Sequence, residues 1–158
     1  MKFPKRVFTH EEVQKARRFI EEGNKHRLRV IGSPQLKDKV KAALRLIRTA
    51  KYYDFLRTYI RRIVEVDGLS QLREADASIW TNEYTVADSI EAASYLIQKA
   101  EQMKNYIEGK PYFGGVEEAS AIEKRIEFLE ELKSRSKRQD IRERCEEALK
   151  LWAESRFL

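Results

Sequence analysis

The stretch His26-Arg-Leu-Arg-Val-Ile-Gly-Ser-Pro-Gln-Leu-Lys-Asp-Lys-Val40 changes its hydrophobic period in mid-course, and that change decides the fold class. Leu28 and Val30 alternate with Arg27 and Arg29 ahead of Gly32, a period of two that predicts a short strand over 27–31. Ser33 then offers an N-cap and Pro34 fills the first helical position, where a missing N–H costs nothing. Leu36, Val40, Ala43, Leu44 and Ile47 follow at helical spacing. A strand feeding a helix predicts a predominantly helical α+β fold; the alternative, should the strand fail, is an all-α bundle.

Working outward, Thr9, Glu12 and Gly23 frame a first helix as N-cap, capping-box partner and C-terminal stop. Downstream, the helical pattern breaks near Thr49-Ala50-Lys51 and resumes on Tyr52, Phe55, Leu56, Tyr59 and Ile60. Ile63-Val-Glu-Val66 ends at the turn dipeptide Asp67-Gly68 and reads as a second strand, with Ala77-Ser-Ile-Trp-Thr81 as a third, weaker one. Thr85 with Asp88 predicts the cap of the clearest helix, which Gly109 and Pro111 stop. Gly114-Gly115 reads as a hinge or turn, and two further helices follow on the apolar periodicities of 122–132 and 141–152. The expectation is a single domain over 1–158, with about five helices and short strands near 27–31, 63–66 and 77–81.

Composition narrows the function classes. A mass of 18.7 kDa over 158 residues suits one core, with 42% hydrophobic and 37% charged residues. No apolar run exceeds three residues, which predicts no membrane span. The start, Met1-Lys-Phe-Pro-Lys-Arg, has no apolar segment behind it, which predicts no signal peptide. Cys145 is the lone cysteine, so the chain has no disulfide framework, and a cytoplasmic location is expected. Neither a phosphate-binding glycine loop nor a nucleophile elbow occurs, and the two histidines, His10 and His26, have no partners at metal spacing. The sequence therefore predicts no catalytic residue, no metal site and no cofactor.

Charge is unevenly spread. Residues 1–50 carry 14 Lys+Arg against 5 Asp+Glu, 51–100 carry 6 against 8, and 101–158 carry 12 against 13. The formal excess of +6 thus comes entirely from the first third. Lys37, Lys41, Arg45 and Arg48 recur at four, four and three along one side of a helix, and Arg27 and Arg29 share a strand face. These six are the candidate anion-binding residues, for nucleic acid or an acidic protein partner. No base-reading motif accompanies them. Such a surface also fits a thermostable composition, with 17 Arg and only three Asn. Oligomeric state is left open.

One segment carries a resemblance. The capped helix contains Ala92-Ala-Ser-Tyr-Leu-Ile-Gln-Lys-Ala-Glu-Gln102. It resembles the helix of zincin-type metallopeptidases, and the chain is similar over roughly residues 27–131 to uncharacterised bacterial proteins with a minimal zincin-like domain. In that family the helix carries H-E-x-x-H, whose positions here read Gln98, Lys99 and Gln102. Glu117 or Glu118 would stand where a carboxylate ligand comes from in such a domain. An amide is a poor zinc ligand beside imidazole, and Lys99 offers no base. The resemblance therefore implies a degenerate metal site and a non-catalytic module that binds a partner or ligand through the old cleft. Its candidate residues are Gln98, Lys99, Gln102, Glu117 and Glu118.

Overall fold

The computed structural model describes residues 10–110 and 115–155. They form a predominantly helical α+β fold. Its elements in chain order are α1 (His10–Glu21), β1 (Arg29–Ile31), α2 (Pro34–Thr49), α3 (Tyr53–Tyr59), β2 (Arg62–Glu65), β3 (Gln71–Arg73), a single 3₁₀ turn (Glu74–Asp76), β4 (Ser78–Thr81), α4 (Ser89–Ile107), α5 (Gly115–Arg135) and α6 (Gln139–Ser155).

The sheet has the order β1-β2-β4-β3, with β1, β2 and β4 parallel and β3 antiparallel at the edge. Register places Val30, Ile63, Ile79 and Leu72 in one row across all four strands, and this row faces the core. Arg29, Arg62, Ser78 and Arg73 form the next row, on the opposite face, because side chains alternate along a strand. Ile31, Val64, Trp80 and Gln71 form a further row on that same outer face.

Helix α4 is the hub. It packs against α1, α2, α3, α5, α6 and β3. Ala92, Ala93 and Ala100 are fully buried on it and let neighbouring backbones approach, while Leu96, Ile97 and Met103 fill the core with Leu36, Ile47, Leu56 and Phe128. Each large apolar side chain so buried stabilises by roughly 1.5–3 kcal/mol.

The strand-to-helix junction forms as its sequence requires. Ser33 Oγ accepts from the Leu36 N–H at 3.2 Å, and Pro34 opens α2. The Ser33 N–H donates to Glu65 Oε1 at 2.7 Å, tying the junction to β2. Gly32 is needed there because an added Cβ would come within 2.8 Å of both Glu65 Cβ and Leu36 Cδ2. At the ends of α1 and α4, Gly23 and Gly109 each adopt φ +80°, closing the helix with the paired C-terminal hydrogen bonds of a left-handed stop.

Several expectations need correction. β1 is shorter than 27–31: Arg27 precedes it, so only Arg29 of that pair lies on a strand. Asp88 alone caps α4, its Oδ1 accepting from the Ile90 and Glu91 N–H groups at 2.9 Å. Thr85 sits in the preceding turn, where the Asn82 side chain takes its N–H at 2.9 Å and outcompetes a helical start. Gly115 is the first residue of α5 rather than part of a turn; Gly114, Pro111 and Thr9 lie outside the described residues. The edge strand β3 was not expected.

Gly32→Ala is expected to lower unfolding stability in urea by about 1–3 kcal/mol, since neighbours on two elements must shift. Gly68→Ala, with nothing within 4 Å of the new Cβ, is expected to stay within about 0.5 kcal/mol of the parent. Equal losses at both positions would contradict the tight junction.

Candidate functional site

Helix α4 is surrounded on most sides, yet it is not uniformly apolar. Ser94, Glu101, Gln102 and Asn105 are all buried on it. A buried polar group without a partner costs about 1–3 kcal/mol, so where these groups find partners decides what the helix does.

Toward its N-terminal half the partner is Arg125 of α5, itself only 9% exposed. Its Nε donates to Ser94 Oγ at 2.8 Å, Nη1 to Gln98 Oε1 at 2.7 Å and Nη2 to Glu91 Oε2 at 2.9 Å. The Trp152 ring of α6 lies 4.8 Å from the guanidinium carbon. Arg125 thereby fastens α4, α5 and α6 together. Burial pulls its pKa down, and Glu91 opposes that. This buried arginine contrasts with the solvated, intrahelical ion pairing that the Glu-rich sequence of α5 invites. Gln98 is consumed in the same network.

Toward the C-terminal half the partners run out. Lys99 and Gln102 line a cleft of about 290 Å³ with Glu118 of α5 and with Ser70, Leu72 and Glu74 from the β3 region. Gln102 Oε1 is buried without a hydrogen-bond partner, as are Glu101 Oε2 and Asn105 Nδ2 nearby on α4. The Lys99 ammonium lies 5.2 Å from the centre of the Tyr95 ring. Among the described residues no carboxylate comes within ion-pair distance of it. Burial holds the Lys99 pKa below its ordinary 10.5; Arg125 adds to that and Glu74 opposes it. Burial pushes the Glu74 carboxyl up, against its own backbone N–H, Arg73 and Lys99. Burial also raises the Tyr95 phenol to about 12, and its oxygen lies beside Ser70 without a hydrogen bond of ordinary geometry.

The sequence-derived cleft set is therefore divided. Lys99, Gln102 and Glu118 come together, Gln98 is turned into the Arg125 network, and the Glu117 side chain lies outside the described residues. Among the described residues no three His, Cys, Asp or Glu side chains gather into a metal-binding group. Cys145 is buried, and burial raises its thiol to about 11, a packed and unreactive state.

The six anion-binding candidates fall on α2, on β1 and in the segment just before it. Lys37, Lys41, Arg45 and Arg48 are exposed along α2, with Arg48 stacked 4.2 Å over Tyr53. Arg27 and Arg29 are exposed at β1. None of the six has an ion-pair partner among the described residues. Elsewhere cations commonly do, as with Arg57–Asp54, Arg135–Glu131 and Arg144–Asp88.

A second cavity, of about 370 Å³, lies beneath α1 and escaped the sequence reading. Phe19, His26, Tyr59, Asp76 and Met103 line it. His26 stacks on Phe19 at 4.8 Å, and burial with the nearby Arg61 keeps its pKa below the ordinary 6.5. The apolar stripe of α1 was legible, but nothing local announces that residues fifty and more positions later close the cavity.

Arg125→Ala is expected to lower stability in urea by about 2–3 kcal/mol, because it strands the buried Ser94 hydroxyl and the half-buried Gln98 amide and removes the ion pair to Glu91. Arg135→Ala, exposed and paired only with Glu131 on its own helix, is expected to cost under about 0.5 kcal/mol. A small loss at Arg125 would contradict its role as the fastener.

No protein-family model, no curated protein and no solved structure matches the chain.

Proposed function

We propose that the chain is a non-catalytic binding module that takes a small ligand in the cleft beside α4. The observation that carries this reading is the coincidence of two groups in one cleft: an ammonium without a carboxylate partner, Lys99, and a buried amide oxygen without a donor, on Gln102. Folding alone does not favour either, since each costs stability as it stands. A ligand carboxylate supplies the missing partner of Lys99. An ammonium or amide on the same molecule suits Glu74 and Gln102, so the class is a small zwitterion of amino-acid type. Lys99 in place of a catalytic glutamate offers no base to activate water, which fits the resemblance to a degenerate zincin and argues against hydrolysis.

The test is Lys99→Met. With a panel of free amino acids at about 10 mM, a concentration at which even millimolar ligands bind, amide shifts in NMR spectra of the parent are expected at 70–74 and 99–102. The variant is expected to lose them. Its stability should not fall, and should rise by about 0.5–1 kcal/mol, as is common when a strained functional residue is replaced. The pH dependence has a definite sign. Because the folded-state pKa of Lys99 lies below the unfolded value of 10.5, its penalty is fully present at pH values below that folded pKa. It disappears as the pH rises through the folded pKa toward 10.5. The stability advantage of Lys99→Met should therefore shrink over that window. No shifts with any amino acid, together with a destabilised variant, would end this reading.

A further inference from the structure

The outer face of the sheet is a second surface, independent of the α4 cleft. The helical core gathers on the row Val30-Ile63-Ile79-Leu72, which points the other way. Register sets Arg29, Arg62 and Arg73 in one row, spanning about 14 Å across three inter-strand spacings. Ile31, Val64 and Trp80 lie in the adjoining row, with Ile31 40% exposed. Neither row contains an acidic residue. Arg62 leans on Asp76 from the 3₁₀ turn, but Arg29 and Arg73 have no carboxylate partner among the described residues. The Arg73 guanidinium carbon instead lies over the Trp80 ring, 3.9 Å from its centroid.

We propose that this face binds single-stranded nucleic acid. Three features together select that partner. An arginine and an indole in contact present planar surfaces on which an unpaired base can lie, and stacking of this kind tolerates any base. A row of cations beside it meets the sugar-phosphate backbone. The sheet is broad and lacks a protruding helix, so it does not suit the major groove of a duplex. An acidic protein would satisfy the arginines but leave the stack without a planar partner. Arg29 belongs to the basic first third of the chain; Trp80 and Arg73 do not, and only the fold brings them onto one sheet face with it.

The experiment is fluorescence anisotropy of the full chain with labelled oligonucleotides of about 12 nucleotides, a length within known single-strand site sizes. Single-stranded RNA, single-stranded DNA and a duplex are compared at two salt concentrations. Both single strands are expected to bind with affinity that falls as salt rises; a preference for RNA would add contacts to the 2′-hydroxyl. Trp80→Leu, which keeps an apolar strand residue but removes the π-face, should weaken binding roughly tenfold. Arg29→Gln with Arg73→Gln should weaken it and reduce the salt slope by about 2, one for each cation removed. The melting temperature of this double variant should match the parent. A triple variant on α2, Lys37→Gln, Lys41→Gln and Arg45→Gln, should leave most affinity intact. Binding of the duplex as tight as the single strands, loss of binding in the α2 variant alone, or no salt-sensitive binding at about 100 µM protein would each overturn the proposal. Full affinity in folded Trp80→Leu would do the same.

Discussion

Arg125 is the interaction on which the rest depends. A central helix flanked by five others and a strand has little water to satisfy its polar groups, so each must find a protein partner. One guanidinium serves Ser94, Gln98 and Glu91 at once, and the Trp152 ring covers it. With that half of α4 locked to α5 and α6, its other half is held where Glu101, Gln102 and Asn105 have polar atoms with nothing to bond. The contrast lies within a single helix. The side of it that Arg125 holds is structural, and the side that carries Lys99 and Gln102 opens on a cleft.

Much of the fold was legible because local rules sufficed. Ser33-Pro34 capped a helix, Gly23 and Gly109 stopped two more, and the alternation around Val30 marked a strand. The edge strand β3 was hidden because it has three residues and only Leu72 turned inward, too short for a period to register. Thr85 failed as a cap for a competitive reason: the Asn82 side chain reached its N–H first. The candidate site was half legible. Helical spacing put Gln98 and Gln102 on neighbouring positions of one polar side, but it could not say that a buried arginine from another helix would claim the first. In sequence, Arg125 is one more charge among glutamates. Its burial is a property of how α5 packs, not of its own neighbours in sequence.

Charge distribution separates the two proposed surfaces. In the latter part of the chain, cations commonly meet carboxylates within 4 Å, which quiets the surface. The basic residues of α2 and β1 lack such partners, and the outer sheet face combines unpaired arginines with an indole. Unpaired cations on a solvated surface cost little, so that face is compatible with stability alone until a planar, anionic partner is added. Lys99 differs in kind. It is partly buried, and its lack of a partner is a standing penalty that the fold tolerates.

The most direct measurement of this central point is the titration of Lys99 itself, followed by NMR through the carbon next to its ammonium. A midpoint below 10.5 is expected in the free protein. That midpoint should move upward when a carboxylate-bearing ligand occupies the cleft, because a nearby negative charge favours the charged form. A midpoint at or above 10.5, unmoved by any such ligand, would mean that Lys99 is an ordinary solvated lysine, and the cleft would lose its claim to be a binding site.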